Sequence, residues 1–400
     1  MTTWRIGPAT IIACGGIILL LSFGIRSSFG IFLQPISIDM NWSREIFAFS
    51  IALQNLFWGV SQPFAGMIAD KYGTGRVIVV GGLIFAAGTL LMAYATTPLF
   101  AHVTAGIFVG VGISGCGFSI VLAAVGRAVP AERRAIALGI ASAGGSFGMF
   151  AMVPLGQAFL QEYGWSTSFL LLGSISLIMV PLAAALAGKP PADTSAEPQT
   201  VRESLREAAG HSSFLFLNAG YFVCGFHVAF IATHLPSYVI DLGLTAELGA
   251  WALGLIGLMN VIGALFAGAL GDKFSKKYLL SSLYLGRSIV ITVFVLTPPS
   301  VASVLIFSAA MGLLWLSTVP LTSALVMQMF GLKHASMLLG IVFLTHQLGS
   351  FTGAWLGGYL FDLTGSYDAV WWVSIALGIA SSILHWPIDE RPIGRLATAR

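Results

Sequence analysis

Apolar runs of about 20 residues recur along the whole chain, separated by short polar stretches. Each is long enough to cross the roughly 30 Å hydrocarbon core of a bilayer as a helix. The runs fall roughly at 11–36, 45–69, 76–95, 101–127, 135–160, 166–187, 212–239, 247–270, 277–297, 301–327, 335–361 and 368–388. With 57% hydrophobic and 9% charged residues the chain cannot be a soluble globule, because ordinary domains carry about 25% charged residues. The expectation is an all-α membrane protein of twelve helices, with the lipid bilayer as its first partner. The net charge of +3 sits in short loops and does not point to nucleic acid. No secretory signal is read ahead of the first span, which looks long and uncleaved.

The second half of the sequence repeats the first at an offset of 201 residues, or 202 in the 66–71 stretch. Gly24, Arg26 and Pro35 map onto Gly225, His227 and Pro236. Gly66-x-x-x-Asp70-Lys71 returns as Gly268-x-x-x-Asp272-Lys273, and Gly148 and Gly156 return as Gly349 and Gly357. Internal repetition around a midplane site is the architecture of many secondary transporters. The division read from this is 1–188, a cytoplasmic linker 189–211, and 212–400. The latter part of the linker reads as an amphipathic helix along the membrane.

Orientation follows from the basic residues. With the N-terminus inside, sixteen of the nineteen Lys and Arg lie on the cytoplasmic side or at helix ends facing it. Such asymmetry places both termini in the cytoplasm. Arg44 falls outside, while Arg26 and Arg287 fall within spans.

The stretch Gly66-Met-Ile-Ala-Asp70-Lys71-Tyr-Gly73-Thr-Gly-Arg76 resembles the cytoplasmic signature loop of the major facilitator superfamily, and 268–277 sits where that family has its second copy. The resemblance covers essentially the whole chain. It implies two pseudo-symmetric six-helix bundles rocking about a cavity lined mainly by spans one, four, seven and ten. It also implies a gating role for Gly66, Asp70, Lys71, Arg76, Asp272 and Lys273, whose loops latch the outward-facing state, Gly66 letting another helix come close. More narrowly, Gly24-x-Arg26-x-Ser28-Phe29-Gly30, Asn41-Trp42-Ser43-Arg44 and Asp362-x-Thr364-Gly365-Ser366-Tyr367 are similar to bacterial members of the monocarboxylate and oxalate–formate transporter branch. That implies residence in the bacterial plasma membrane.

Arg26 leads the candidate site residues. A cation at the bilayer centre costs roughly 2.5–3.5 kcal/mol or more, so it marks function by default. No Asp or Glu lies mid-span to neutralise it, which favours an anionic ligand held by charge-assisted hydrogen bonds. His227, the repeat partner of Arg26, is expected to face the same cavity and to carry a proton, since imidazole titrates near pH 6.5. His234 shares its helix face seven residues on, nearer the outer end. His346 and Gln347 stand where the first half has Gly145 and Ser146, so this span gained polar groups at lipid depth. Asn55 and Tyr221 are further candidates for substrate contact. Arg287 reads as structural, bonded to carbonyls or to a polar group such as Asn260.

Other signals fall away. Gly110-x-Gly112-x-x-Gly115 spells a dinucleotide fingerprint, but it lies inside an apolar span with no strand before it. Cys14, Cys116 and Cys224 lack metal-type spacing and read as inert thiols. No nucleophile–base pair, metal cluster or nucleotide loop is read, so neither an enzyme nor a cofactor is expected. The expected activity is alternating-access symport of protons with a small organic anion, a monocarboxylate, by a chain that works as a monomer. Anion exchange, export of amphipathic drugs or metabolites, and a transporter-like receptor stand as alternatives.

Overall fold

The computed structural model describes residues 7–130, 133–188, 201–331 and 335–393, and every regular element in them is helical. Each apolar run of the sequence falls on a helix. They are α1 (Pro8–Asp39), α2 (Arg44–Tyr72), α3 (Thr74–Met92), α4 (Pro98–Ala128), α5 (134–163), α6 (165–186), α7 (Ser212–Asp241), α8 (Ala246–Gly271), α9 (Lys276–Leu296), α10 (Val301–Phe330), α11 (Ala335–Thr364) and α12 (Asp368–Leu384). Helices α5 and α6 are continuous except at Gly164, whose φ of 74° turns the chain, a conformation that favours glycine. Nine stretches among the described residues are long and apolar enough to cross a membrane. The pair α5–α6 counts there as one, while α2 and α12 fall outside the criterion.

Small residues set the packing. In the first half α1 lies along α5, and in the second α7 lies along α11. A Cβ at Gly148 would collide with the carbonyl of Leu20, and one at Gly349 with the carbonyl of Phe222. Glycine at both places lets two backbones touch, the small-residue contact typical of membrane helices. The halves meet through α2 against α11 and α5 against α8.

Two helices are broken at matching places. Helix α4 loses its helical path at Gly117, and α10 loses it at residues 315–317. Interrupted helices in corresponding positions of two repeats point to the binding region of a transporter. The linker residues 189–200 lie outside the described set. A short helix, Val201–Ala209, follows and buries Ser204 and Ala208.

Candidate functional site

Arg26 sits on α1 just before the chain tightens into a 3-10 turn at Ser28–Phe32. The half-buried guanidinium donates through Nη2 to Asn55 Oδ1 on α2 and lies 5.0 Å from the Trp58 ring centroid. Its Nε is buried without a partner. Among the described residues no carboxylate lies within ion-pair distance of it; the ion pairs there are Arg44–Asp241 and Arg391–Asp389. Arg26 faces a cavity of about 20 Å³ with Ile51, Asn55, Val228, Ala229 and Thr233. That is space for about one water, so an organic ligand fits only once the halves shift. A wider cleft of about 570 Å³ lies beside Asp39 and Trp165, and Arg26 does not line it.

The second half answers from α11. Gln347 packs against α2, where a Cβ at Gly59 would stand 2.7 Å from the Gln347 Cβ. Gly59 is one turn beyond Asn55, so Gln347 faces the same stripe of α2 as Arg26. His346 Nδ1 is 3.1 Å from Gln347 Oε1. An amide oxygen only accepts, so Nδ1 carries the hydrogen and Nε2 keeps a free lone pair. That Nε2 is buried without a partner, as is Gln347 Nε2. Tyr221 on α7 lies 4.9 Å from the imidazole, centroid to centroid. An aromatic series bridges the halves: Trp58 to Phe343 at 5.1 Å and Phe343 to His346 at 6.2 Å. Trp58 is fixed by its bond to Gln62 Oε1 at 3.0 Å. Trp58 and Phe343 are not among the residues singled out by sequence. Their helical spacing from Asn55 and His346 was the available signal.

His227 stands apart from this group. Its Nε2 lies 2.8 Å from the carbonyl oxygen of Ser374 on α12, inside the second half, and it does not face Arg26. The reason is a slip in register. Gly148 abuts Leu20 while its repeat Gly349 abuts Phe222, a spatial offset of one more residue than the sequence offset. One residue turns a helix by about 100°. The spatial partner of Arg26 is therefore Val228, which lines the cavity beside it. His234 is also turned inward, to Ala354 O at 2.8 Å and Tyr367 OH at 3.1 Å.

Arg287 braces the break in α10. It donates to Leu314 O at 2.7 Å and to Trp315 O, carbonyls freed where the helix stops. Asn260 takes the opposite side of the break: its Oδ1 accepts Leu316 N–H at 2.9 Å. Its amide nitrogen donates to Ser146 Oγ on α5 at 2.9 Å, so this bond also joins the halves.

The two ends of the molecule differ. At one end Arg44 grips Asp241 at 2.5 and 2.7 Å, donates to Tyr367 OH at 3.1 Å and lies 3.9 Å from the Phe361 ring. Asp362 accepts the Arg44 and Glu45 amides at 3.1 and 2.7 Å. Trp355 Nε1 donates to Glu45 at 2.8 Å, and Gln161 bonds Glu247. Each of these bonds crosses between the halves. The motifs at 41–44 and 362–367 thus meet in space. At the other end Asp70, Lys71, Arg76, Asp272 and Lys273 are exposed. Added Cβ atoms at Gly66, Gly139, Gly268 and Gly340 would meet nothing within 4 Å. Among the described residues the close helix approach expected at Gly66 is not seen, and no bond between the halves is found at that end. The first-half loop is instead tied within its own half, Arg127 donating to Thr74 Oγ1 at 3.1 Å with Asp70 in electrostatic reach.

The sequence profile of the Major Facilitator Superfamily matches residues 15–318 and 219–400, nearly the whole chain. The protein belongs to the Major Facilitator Superfamily. As a member it is a multi-pass membrane transporter, not an enzyme by family. Among similar proteins, monocarboxylate transporter 13 of Rattus norvegicus is 27% identical over 382 residues, covering 90% of this chain and 84% of that protein. The uncharacterised MFS-type transporter YcxA of Bacillus subtilis (strain 168) is 24% identical, covering 90% of each. Superfamily structures share the fold. A bacterial homologue of the human lysosomal transporter Spinster, inward-facing and occupied, superposes with a TM-score of 0.73 at 14% identity, over 95% of this chain and 96% of that one. A D-xylose–proton symporter gives 0.71 at 15%, over 95% and 97%.

Proposed function

We propose that this chain is a secondary active symporter of protons and a small organic anion, a monocarboxylate, in the bacterial plasma membrane. One observation carries the reading: Arg26 is a cation in the core of the transporter whose side-chain acceptor is a neutral amide. A buried cation without a counter-charge costs several kcal/mol, which a carboxylate ligand offsets. The guanidinium edge left by Asn55 binds the carboxylate with charge-assisted bonds. Monocarboxylate transporters among the similar proteins support the same substrate class.

His346 replaces His227 as the proton carrier in this reading. Its Nε2 is buried without a partner beside Tyr221 of α7, and its ring is bonded to Gln347, which packs on α2, whereas the His227 Nε2 is engaged by Ser374. Gln347 and Tyr221 complete the second-half wall. The cycle runs by alternating access. The anion reaches Arg26 from outside, a proton joins His346 Nε2, the halves rock, and both leave inside. With the Asp70 end cytoplasmic, as the charge asymmetry indicates, the described conformation is the inward-facing one. The halves are 1–188 and 212–400, one chain holding the complete cavity.

The test is uptake of labelled lactate, pyruvate, acetate, oxalate and an aromatic carboxylate into proteoliposomes, with and without an inward proton gradient. Gradient-driven accumulation of one acid is expected. Flux only into vesicles preloaded with a second anion would replace symport by exchange. No flux of any acid would remove the organic-anion reading.

A further inference from the structure

We propose that His234 is a proton sensor built into the Arg44 latch, whose protonation lets the halves part at that end. The proposal rests on the alternating-access reading and names its regulation.

The hydrogen-bond directions follow from chemistry alone. Ala354 O is a carbonyl and only accepts, so His234 Nε2, 2.8 Å away, carries the ring hydrogen. The neutral ring then offers Nδ1 as an acceptor, and the Tyr367 hydroxyl at 3.1 Å donates to it. The phenol oxygen in turn accepts Arg44 Nη1–H at 3.1 Å. One directed chain therefore runs from Arg44 through Tyr367 to His234, with neutral imidazole at its end. His234 is 0% and Tyr367 2% exposed. The Arg44 and Asp241 side chains are 11% and 28% exposed, so the hydroxyl links solvent to the ring.

Protonation reverses the chain. An incoming proton joins the phenol oxygen, the phenol's own proton breaks away to Nδ1, and the phenol stays neutral. Nδ1–H now donates to the oxygen, and the phenolic hydrogen must find another acceptor. The nearby candidates are carboxylates, and Asp241 is the one that holds Arg44. The phenol competes for it while an imidazolium appears next along the chain from the guanidinium. Both changes loosen Arg44. The charged and titratable groups around the ring are Tyr367, Asp362 and Asp368 from the α11–α12 end, Arg44 and Glu45 from α2, and Tyr238 and Asp241 from its own helix. Among the described residues none of the carboxylates bonds the imidazole itself, so no counter-charge touches its cation within the closed latch.

The experiment measures the separation of the halves and needs no substrate. Spin labels go on Leu99→Cys and Val301→Cys, which are 71% and 54% exposed at the Arg44 end. Cys14, Cys116 and Cys224 are replaced by alanine. Distances are read in lipid nanodiscs at about pH 5.5 and about pH 8, on either side of the imidazole range. A single short distance is expected at the higher pH, with a longer population added by acid. In His234→Gln the acid-induced population is expected to vanish. Tyr367→Phe, which cuts the chain but keeps Arg44–Asp241, is expected to do the same and serves if His234→Gln does not purify as one species. A parent distribution that ignores pH, or an acid response that persists in either variant, overturns the proposal. Silence in the uptake panel with an intact pH response would instead remove the organic-anion reading and leave the sensor.

Discussion

Arg26 and Asn55 are joined by a guanidinium–amide hydrogen bond, and the Asn55 nitrogen is itself tied to Ile51 O at 2.8 Å. The second bond fixes the amide orientation, so the oxygen must face Arg26. The cation is thereby positioned without being neutralised. An acid at position 55 would do the positioning and cancel the charge as well.

Asn55→Asp is therefore expected to raise the KM for the anion about 10- to 100-fold, because an internal carboxylate competes for bonds worth about 1.5–3 kcal/mol. Arg26→Gln is expected to lower uptake at least about 100-fold while eluting as a folded monomer. Initial uptake rates and size-exclusion profiles check both. Normal affinity in Arg26→Gln would remove the anchor role.

Gly59→Val tests the contact across the cavity. Its side chain would meet Gln347 Cβ and Leu344 Cδ1, with a Cβ already 2.7 and 3.2 Å from them. Overpacking of this kind costs about 1–3 kcal/mol, and it falls on the joined state of α2 and α11. Uptake is expected to drop about tenfold or more with little change in melting temperature. A large loss of thermal stability would place the strain within one half instead.

Asp241→Asn should weaken the latch. Single exposed ion pairs contribute about 0.2–1 kcal/mol, and this one also anchors the Tyr367 bond. The expected result is a several-fold faster reaction of a membrane-impermeant thiol reagent with Thr233→Cys, in a background lacking the native cysteines. Thr233 is 2% exposed beside Arg26, so it reacts only when the Arg44 end opens. An unchanged rate would assign the closure to the neighbouring Asp362 and Glu45 bonds.

Arg287→Met should act on stability and leave affinity alone. It deprives Leu314 O and Trp315 O of their donor at the α10 break. Unsatisfied buried acceptors cost about 1–3 kcal/mol each. A lowered melting temperature with unchanged KM among the surviving molecules is expected. A raised KM would bring Arg287 into anion recognition.

The helical fold, the repeat and the mid-span depth of Arg26 could be read from sequence because each depends on position along a helix. Hydrophobic runs report length, and matched glycines report depth. The facing of His227 could not be read, since it depends on rotation about the axis. A shift of one residue between Gly148–Leu20 and Gly349–Phe222 leaves depth nearly unchanged and turns the side chain by about 100°. Arg44 and Asp362 were visible as motif residues, yet their meeting could not be read. They lie on different halves, and only the closed end brings them together. His346 and Gln347 stood out because they replaced Gly145 and Ser146. Trp58 and Phe343 did not, because aromatic residues are common in apolar spans.

Asp362 has one more consequence. It supplies the acceptor for the first amides of α2, Arg44 N–H and Glu45 N–H, from the far end of α11. A helix normally closes its own start with a neighbouring side chain, and such a cap is worth about 1 kcal/mol. Here the cap is lent by the opposite half, and the proposed cycle withdraws it at every turn. The first turn of α2 therefore frays each time the molecule opens at that end and reseals when it shuts. Amide hydrogen exchange at these residues becomes a clock for the transport cycle, running at the frequency of opening rather than of unfolding.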